Sequence, residues 1–228
     1  MTPIPSYFLT QPQADWGAET IASFDALFAK AIEHGADTPL VYDLTAPKWQ
    51  FLNYLCEQKH IVLHGSGNPH IAEFEPRQSN DVSEFGNRRA VYAASDGIWA
   101  MYFAIVDRDN HITSLMNVCF RLQEACDKSE PYYFFSVNGD ALPHSPWRTG
   151  TLYLLPKETF EQQPPMFYHG VQIESAQWAS LVPVKPLAKL TIEPYDFPFL
   201  DQIVPQDPSI IRERAKIDPD GFPWMDEI

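Results

Sequence analysis

Short runs of β-prone residues fill the second half of the sequence, and they constrain the fold more than any other feature. They are separated by proline, glycine and asparagine, which favour turns between strands. The runs are Val118 to Leu122, Tyr132 to Val137, Thr151 to Leu155, Gln177 to Val182 and Leu187 to Ile192. Because strand and helix do not alternate regularly, we expect the α+β class, with a largely antiparallel sheet or pair of sheets.

Helical periodicity marks the first half of the chain. From Ala18 to His34, apolar residues recur every three or four positions, and Gly35 stands just past the end. A second helix is expected to begin at Thr45, with Pro47 in its first turn, and to end before Lys59. Two helices therefore precede the first strong strand.

These patterns divide the chain into three parts. Residues 1–60 hold an extended N-terminal arm and the two helices, which we expect to pack on the main domain. Residues 61–204 form that domain, and residues 205–228 form a polar C-terminal tail that ends in acidic residues.

Charge and hydropathy exclude several classes of protein. Sixteen Lys and Arg against thirty Asp and Glu give a formal net charge of −14, which repels the phosphates of nucleic acids. The sequence has no run of about 18 apolar residues and no basic, apolar N-terminal signal. We therefore expect a cytoplasmic protein with no nucleic-acid partner and no membrane contact.

The cysteines and histidines give no sign of a metal site. Cys56, Cys119 and Cys126 lack the close pairing typical of metal ligands, and we expect reduced thiols. His60, which lies close to two other histidines, has no Cys partner nearby to complete a ligand set. No metal is expected.

A strand, a turn and a helix carry the most specific pattern of the sequence. A short strand, Ile61 to Leu63, is expected to deliver His64 to a loop that contains glycine and proline. A second strand spans Ala90 to Ala94. Ser95 is then expected to cap a helix over residues 96–106, whose aromatic residues share one face.

Four motifs extend this pattern along the chain: VLHGS at 62–66, AVYAAS at 90–95, GTLYLLP at 150–156 and AQWASLVPVKP at 176–186. In this order they resemble the ADP-ribosyltransferase superfamily, specifically its His-Tyr-Glu branch, which includes diphtheria-type toxins and poly(ADP-ribose) polymerases. The resemblance spans about residues 61–197. It implies split antiparallel β-sheets with flanking helices, to which the two N-terminal helices are an addition.

The resemblance also implies a site for NAD, which this family uses as a substrate. His64 matches the histidine that hydrogen-bonds the ribose hydroxyls, and the backbone of Gly65 would hold the nicotinamide amide. Tyr92 and Tyr102 match the two aromatic rings that sandwich the nicotinamide, where stacking and cation–π attraction contribute roughly 0.5 to 2 kcal/mol each. Ser95 matches a small hydroxyl residue that supports the site.

The sequence departs from the family pattern at the catalytic carboxylate. In many relatives a glutamate stabilises the positive charge that the ribose acquires as nicotinamide leaves, and Gln177 stands at the matching position. Glutamine can accept a hydrogen bond but carries no charge, so the loss is of order 3 kcal/mol, or about a hundredfold in rate. Glu174 lies on the opposite face of an uninterrupted strand, and only a bulge or turn would let it substitute.

These residues predict an NAD-binding protein with slow mono-ADP-ribosyl transfer to a protein or small molecule. His64, Tyr92 and Gln177 are the expected catalytic residues. The alternative is a catalytically inactive nucleotide-binding or protein-interaction module of the same fold, which the absent glutamate favours. A third interpretation is an unrelated α+β fold with accidental motif matches. The expected NAD cleft comprises His64, Gly65, Ser66, Tyr92, Ser95, Tyr102 and Gln177.

Simpler interpretations of the same residues stay open. His64 is also typical of a turn at the end of a strand, and Tyr92 and Tyr102 are typical of a protein core. Guanidinium groups suit a pyrophosphate, but they equally suit surface ion pairs with the many carboxylates. This choice concerns Arg77, Arg88, Arg89 and Arg148.

Overall fold

The structure is a computed structural model that describes residues 4–14, 16–79, 81, 83–123, 128–168, 170–218 and 221–225. In these residues the chain is an α+β protein with two largely antiparallel sheets, which confirms the expected class. The helices are α1 (Ala18–His34), α2 (Lys48–Gln58), α3 (Gly97–Ile105) and α4 (Pro208–Ile217). The strands are β1 (Leu9–Thr10), β2 (Ile61–Ser66), β3 (Arg77–Gln78), β4 (Arg89–Ala94), β5 (Leu115–Leu122), β6 (Tyr132–Asn138), β7 (Gly150–Pro156), β8 (Phe160–Gln162), β9 (Met166–Tyr168), β10 (Val171–Ser175), β11 (Gln177–Ser180), β12 (Ala188–Ile192) and β13 (Val204–Gln206).

The strands form a six-stranded sheet, sheet A, and a seven-stranded sheet, sheet B. Sheet A has the order β1-β6-β5-β10-β9, and β13 pairs in parallel with β6. Sheet B has the order β12-β7-β2-β4-β11-β8, and β3 pairs with β4. Strands β2, β4 and β11, which carry the VLHGS, AVYAAS and AQWASLVPVKP motifs, are therefore consecutive neighbours in sheet B.

The main core lies between the two sheets and the helices. Leu154 and Leu190 of sheet B, Tyr133 and Phe135 of sheet A and Phe24 of α1 all belong to one buried cluster. The N-terminal helices therefore bury their apolar faces in the same core as the sheets. No helix among the described residues combines the length and the apolar character needed to cross a bilayer.

Helix α3 packs directly on the backbone of sheet B. A methyl group at Gly65 would overlap the carbonyl oxygen of Ala100, and one at Gly150 would overlap that of Ala104. Only a residue without a side chain allows so close an approach of helix and strand. The glycine after His64 thus has a structural role in the packing of α3.

Helix α1 has the predicted bounds, and three other local predictions are corrected. Helix α2 begins three residues later than expected, because Pro47 is its N-cap residue. The cap of α3 is Asp96 and not Ser95, since Asp96 Oδ1 accepts a hydrogen bond from the Trp99 amide at 2.8 Å. Strand β2 continues to Ser66, so His64 lies in a strand and not in a loop.

The pairing of strands explains elements that local patterns did not predict. The N-terminal arm contributes β1 to the edge of sheet A, where Leu9 pairs with Tyr133. Between β10 and β11 the chain crosses from sheet A to sheet B at Ala176. Glu174 and Gln177 are therefore on two different strands and not on one uninterrupted strand, as the sequence had suggested.

Of the thiols, Cys56 and Cys119 are free and buried, and Cys126 lies outside the described residues.

Candidate functional site

Strands β2 and β4 separate at the end of β2 that carries His64. Their pairing consists of Leu63 opposite Ala94, whereas β2 stays paired with β7 as far as Ser66. The imidazole of His64 spans the resulting gap, with Nδ1 at 2.7 Å from the carbonyl oxygen of Tyr92. A side chain thus replaces the missing contact between the strands, and the edge of β2 beyond Leu63 has no partner in β4.

The register of sheet B places His64 on the opposite face from two of its expected partners. Residues paired across neighbouring strands share a face, and successive residues alternate between faces. Leu63 pairs with Ala94, and Ala94 pairs with Gln177. The side chains of Gln177 and Tyr92 are therefore on the face of Leu63, toward the helices, and His64 points to the other face.

The face of His64 carries an ordered group of polar side chains. His64 pairs with Tyr153, which pairs with Lys189. In the next row, Ser66 pairs with Thr151, which pairs with Thr191. Because neighbouring strands are about 4.8 Å apart, these side chains form two parallel rows across three strands. We call the six residues the polar grid: His64, Ser66, Thr151, Tyr153, Lys189 and Thr191.

Residues 67–76, which we call the strap, cross this face of the sheet. The hydroxyl of Tyr153 donates to the Asn68 carbonyl at 2.7 Å and accepts from the Ile71 amide at 3.1 Å. Lys189 Nζ donates to the Pro69 carbonyl at 2.9 Å. Ser66 Oγ also accepts a hydrogen bond from the Asn68 amide at 3.1 Å. Three members of the polar grid therefore hold the first half of the strap.

The second half of the strap is held by backbone and by aromatic packing. Phe74 exchanges two backbone hydrogen bonds with Val184, at 2.8 and 2.9 Å. Its ring lies 4.6 Å from the His64 ring and 5.1 Å from the Tyr153 ring, between centroids. The strap thus closes an apolar cluster against part of the sheet and leaves the end of β2 half exposed.

The surroundings of His64 favour its neutral form. Burial lowers the pKa of the imidazole, and the positive charges of Arg108 and Arg77 lower it further, although the Tyr92 carbonyl acts in the opposite direction. Arg108 lies on the Phe103 ring, 5.6 Å from its centroid. The second nitrogen, Nε2, makes no hydrogen bond to a described residue. The neutral imidazole therefore keeps one nitrogen free for a ligand.

The two tyrosines expected to sandwich nicotinamide are not brought together. Tyr102 has no exposed surface, and its hydroxyl donates to the Ser136 carbonyl at 3.0 Å between the sheets. The hydroxyl of Tyr92 donates to the Phe85 carbonyl at 2.8 Å and accepts from the Arg88 amide at 2.8 Å. Burial raises the pKa of both phenols. Each tyrosine has a structural partner, and Tyr102 offers no ring face to a ligand.

Ser95 and Gln177 lie near the junction of the two sheets. The Ser95 amide donates to the Ala176 carbonyl at 2.9 Å, and the Gln177 amide donates to Ser175 Oγ at 3.2 Å. Ser95 lines a cavity at this junction with a volume of about 40 Å³, enough for a few water molecules. The cavity is lined by Ser95, Asp96, Cys119, Phe120, Arg121, Gln162, Glu174, Ser175 and Ala176.

The carboxylates of this cavity already have partners. Glu174 accepts hydrogen bonds from Lys128 at 2.7 Å and from Gln162 at 2.9 Å. Burial alone raises the pKa of Glu174, but these two partners outweigh it and lower the pKa. Asp96 is bound to the α3 amide and to Tyr133, and its burial raises its pKa. Glu174 is thus an ionised carboxylate in an ion pair at the sheet junction.

The arginines form ion pairs or contact the backbone. Arg148 forms ion pairs with Asp107 at 3.3 Å and Asp109 at 2.6 Å, and Arg88 is paired with Glu161. Arg89 donates to the Pro76 carbonyl at 3.2 Å.

In the described part of the chain, no group of three or more His, Cys, Asp or Glu side chains is placed to hold a metal.

Sequence reasoning missed four members of the polar grid, although a local signal was present. In the runs TLYLL and AKLTI, polar and apolar residues alternate, which places the polar ones on one face of each strand. The sequence does not show that these two runs pair with each other and with β2, and only the fold places their polar side chains beside His64. The four residues are Thr151, Tyr153, Lys189 and Thr191.

Comparison of the chain with protein-family models, curated proteins and solved structures found no match. The resemblance to the ADP-ribosyltransferase superfamily therefore stays a prediction, carried by the motifs and their placement.

Proposed function

We propose that the chain binds NAD, as an ADP-ribosyltransferase-like protein, on the face of sheet B that carries His64. The observation that carries this proposal is the adjacency of β2, β4 and β11. Their motifs are separated by up to about 110 residues in the sequence, and an accidental resemblance would not require them to be neighbours. The division of the strands into two sheets is also consistent with the split sheets of that superfamily.

The chemistry of the polar grid suits the ribose part of NAD. A ribose diol needs both donors and acceptors, and His64 Nε2 together with the hydroxyls of Ser66 and Thr151 supplies both. The unpaired edge of β2 beyond Leu63 can offer backbone groups to an amide such as that of nicotinamide. His64 and Ser66 lie at the half-exposed end of β2, where a ligand can reach them, whereas Thr151 on β7 is buried.

The strands that form the face of His64 lack the negative charge that rapid transfer requires. The residues of β11 on this face are Trp178 and Ser180, and the strands β2, β4, β7, β11 and β12 place no carboxylate on it. A developing oxocarbenium ion needs a nearby negative charge. We therefore propose that mono-ADP-ribosyl transfer to a protein or small molecule is slow. The position of Gln177 favours the second candidate, a binding module without transfer.

The first test is a calorimetric titration of the protein with NAD, comparing the wild type with His64→Asn. Asparagine keeps a donor near the Tyr92 carbonyl but removes the free Nε2. We expect micromolar to low-millimolar affinity in the wild type and a loss of about tenfold or more in the variant. Gln177→Ala, on the opposite face, is the control and should bind like the wild type. Absence of NAD binding by the wild type would overturn the proposal.

A further inference from the structure

Lys189 is a buried cation whose hydrogen bonding is incomplete. Its exposed fraction is 5%, and in the described residues the acceptor for its Nζ is the Pro69 carbonyl. An ammonium group has three donors, and burying a charge is costly unless it is paired. No carboxylate of the described chain forms an ion pair with Lys189. An anion with several acceptor oxygens would complete this site.

The neighbours of Lys189 offer further donors in the same plane. The Tyr153 hydroxyl follows it along one row of the polar grid. In the adjacent row, the hydroxyls of Thr151 and Thr191 make no hydrogen bond to a described residue. An ammonium and several hydroxyls are donors that typically bind phosphate oxygens. The net charge of −14 disfavours a long polyanion but has less effect on a small phosphate in a covered site.

The strap occupies the position that such an anion would take. The Pro69 and Asn68 carbonyl oxygens accept from Lys189 and Tyr153, which are the donors that a phosphate needs. Asn68, Pro69 and His70 are themselves exposed, so little packing opposes their movement. The strap and a phosphate therefore compete for the same two side chains.

We propose that the polar grid is a phosphate site for the pyrophosphate of a nucleotide and that the strap is its lid. Phosphate oxygens replace the Pro69 carbonyl on Lys189 and the Asn68 carbonyl on Tyr153, and the first half of the strap lifts from the sheet. Phe74 stays in place because its backbone is hydrogen-bonded to Val184, so the second half of the strap does not move. This inference extends the proposed NAD site, because His64 and Lys189 belong to the same row.

The first experiment is a calorimetric titration with inorganic pyrophosphate, comparing the wild type with Lys189→Met. Methionine has a similar length and lacks the charge, so we expect about tenfold to hundredfold weaker binding. Lys185→Met removes the same charge from an exposed position nearby and is the matched control, with affinity expected to stay within about twofold of the wild type. Equal losses in the two variants would indicate a general charge effect and overturn the proposal.

The second experiment uses the wild-type protein and does not depend on the folding of a variant. Hydrogen exchange is measured at the Ile71 amide, which donates to Tyr153. If pyrophosphate displaces the strap, exchange at Ile71 becomes faster, whereas amides of the core become slower as bound ligand stabilises the fold. Slower exchange at Ile71, or no change on saturation with pyrophosphate, would contradict the lid.

The two proposals fail in different ways. If NAD binds equally well to the wild type and to Lys189→Met, the phosphate site is wrong and the proposed function stands. If pyrophosphate binds through Lys189 but NAD does not bind, the phosphate site stands and the proposed function is wrong.

Discussion

At the scale of single residues, His64 shows how a short motif can have both a structural and a functional role. Its Nδ1 contacts the Tyr92 carbonyl where β2 and β4 separate, which accounts for a histidine at this position without any ligand. Its Nε2 remains free on the face that carries Lys189 and Tyr153. The motif alone predicted a residue in a loop, and the extended pairing of β2 places it in a strand.

The lowered pKa of His64 predicts a dependence of stability on pH. The unfolded chain binds the proton near the ordinary value of 6.5, whereas the folded protein binds it only at lower pH. Between these two pKa values the unfolded state binds more protons, so the free energy of unfolding falls as the pH falls below 6.5. Urea unfolding at about pH 7.5 and about pH 5 should show a smaller decrease in His64→Asn than in the wild type. An equal decrease in both proteins would contradict this assignment.

Gly65→Ala is expected to destabilise the protein strongly, because the added methyl overlaps the Ala100 carbonyl oxygen of α3. Forcing helix and strand apart in a packed core costs about 3 kcal/mol in the free energy of unfolding. Gly139→Ala is a suitable control, since its methyl would meet Pro205 Cβ at 3.2 Å and its loss should be about 1 kcal/mol or less. Chemical denaturation of both variants checks the prediction, and similar losses would contradict it.

At the scale of elements, local patterns predicted helix α1 better than the end of β2. The bounds of α1 were correct because a helix is stabilised within its own segment and its apolar face repeats every 3.6 residues. The end of β2 was wrong because three of its residues are held by β7, which lies about 90 positions later. The cap of α3 was one residue off, since Ser95 and Asp96 are both good cap residues and only their conformation decides.

Asp96 connects α3 to sheet A, and Asp96→Ala should lose about 2 kcal/mol or more of stability. The variant removes the cap of the Trp99 amide, worth about 1 kcal/mol, and deprives the buried Tyr133 hydroxyl of its closer acceptor at 2.7 Å, leaving Gln11 Oε1 at 3.4 Å. Adding Tyr133→Phe should cost less in this background than in the wild type. A double-mutant cycle measures the coupling, and additive losses would show that the two residues do not interact.

At the scale of the whole molecule, the crossing of the chain between the sheets decides where Glu174 and Gln177 lie relative to His64. The chain leaves sheet A after Ser175 and enters sheet B at Gln177, so Glu174 is held at the sheet junction by Lys128. Gln177 enters sheet B on the face of the helices, away from the polar grid. Neither residue reaches the face on which His64 lies.

The position of Gln177 predicts that a glutamate introduced there has no effect on NAD turnover. NAD turnover by Gln177→Glu should stay within about twofold of the wild type, because the new charge lies across the sheet from His64. Turnover is measured as release of nicotinamide at saturating NAD. A gain of about a hundredfold would instead place position 177 in the site and contradict the register of β11.

The sequence by itself determined the α+β class, helix α1, the approximate positions of the strands in its motifs and the exclusion of a strongly basic surface. Each of these depends on neighbouring residues or on composition. Only the tertiary structure decided which motif residues share a face. Side chains alternate along a strand with a period of two, so a shift of one residue in register moves every side chain to the opposite face. The register of β2 is set by β7 and that of β7 by β12, and this pairing brings Lys189 into line with His64.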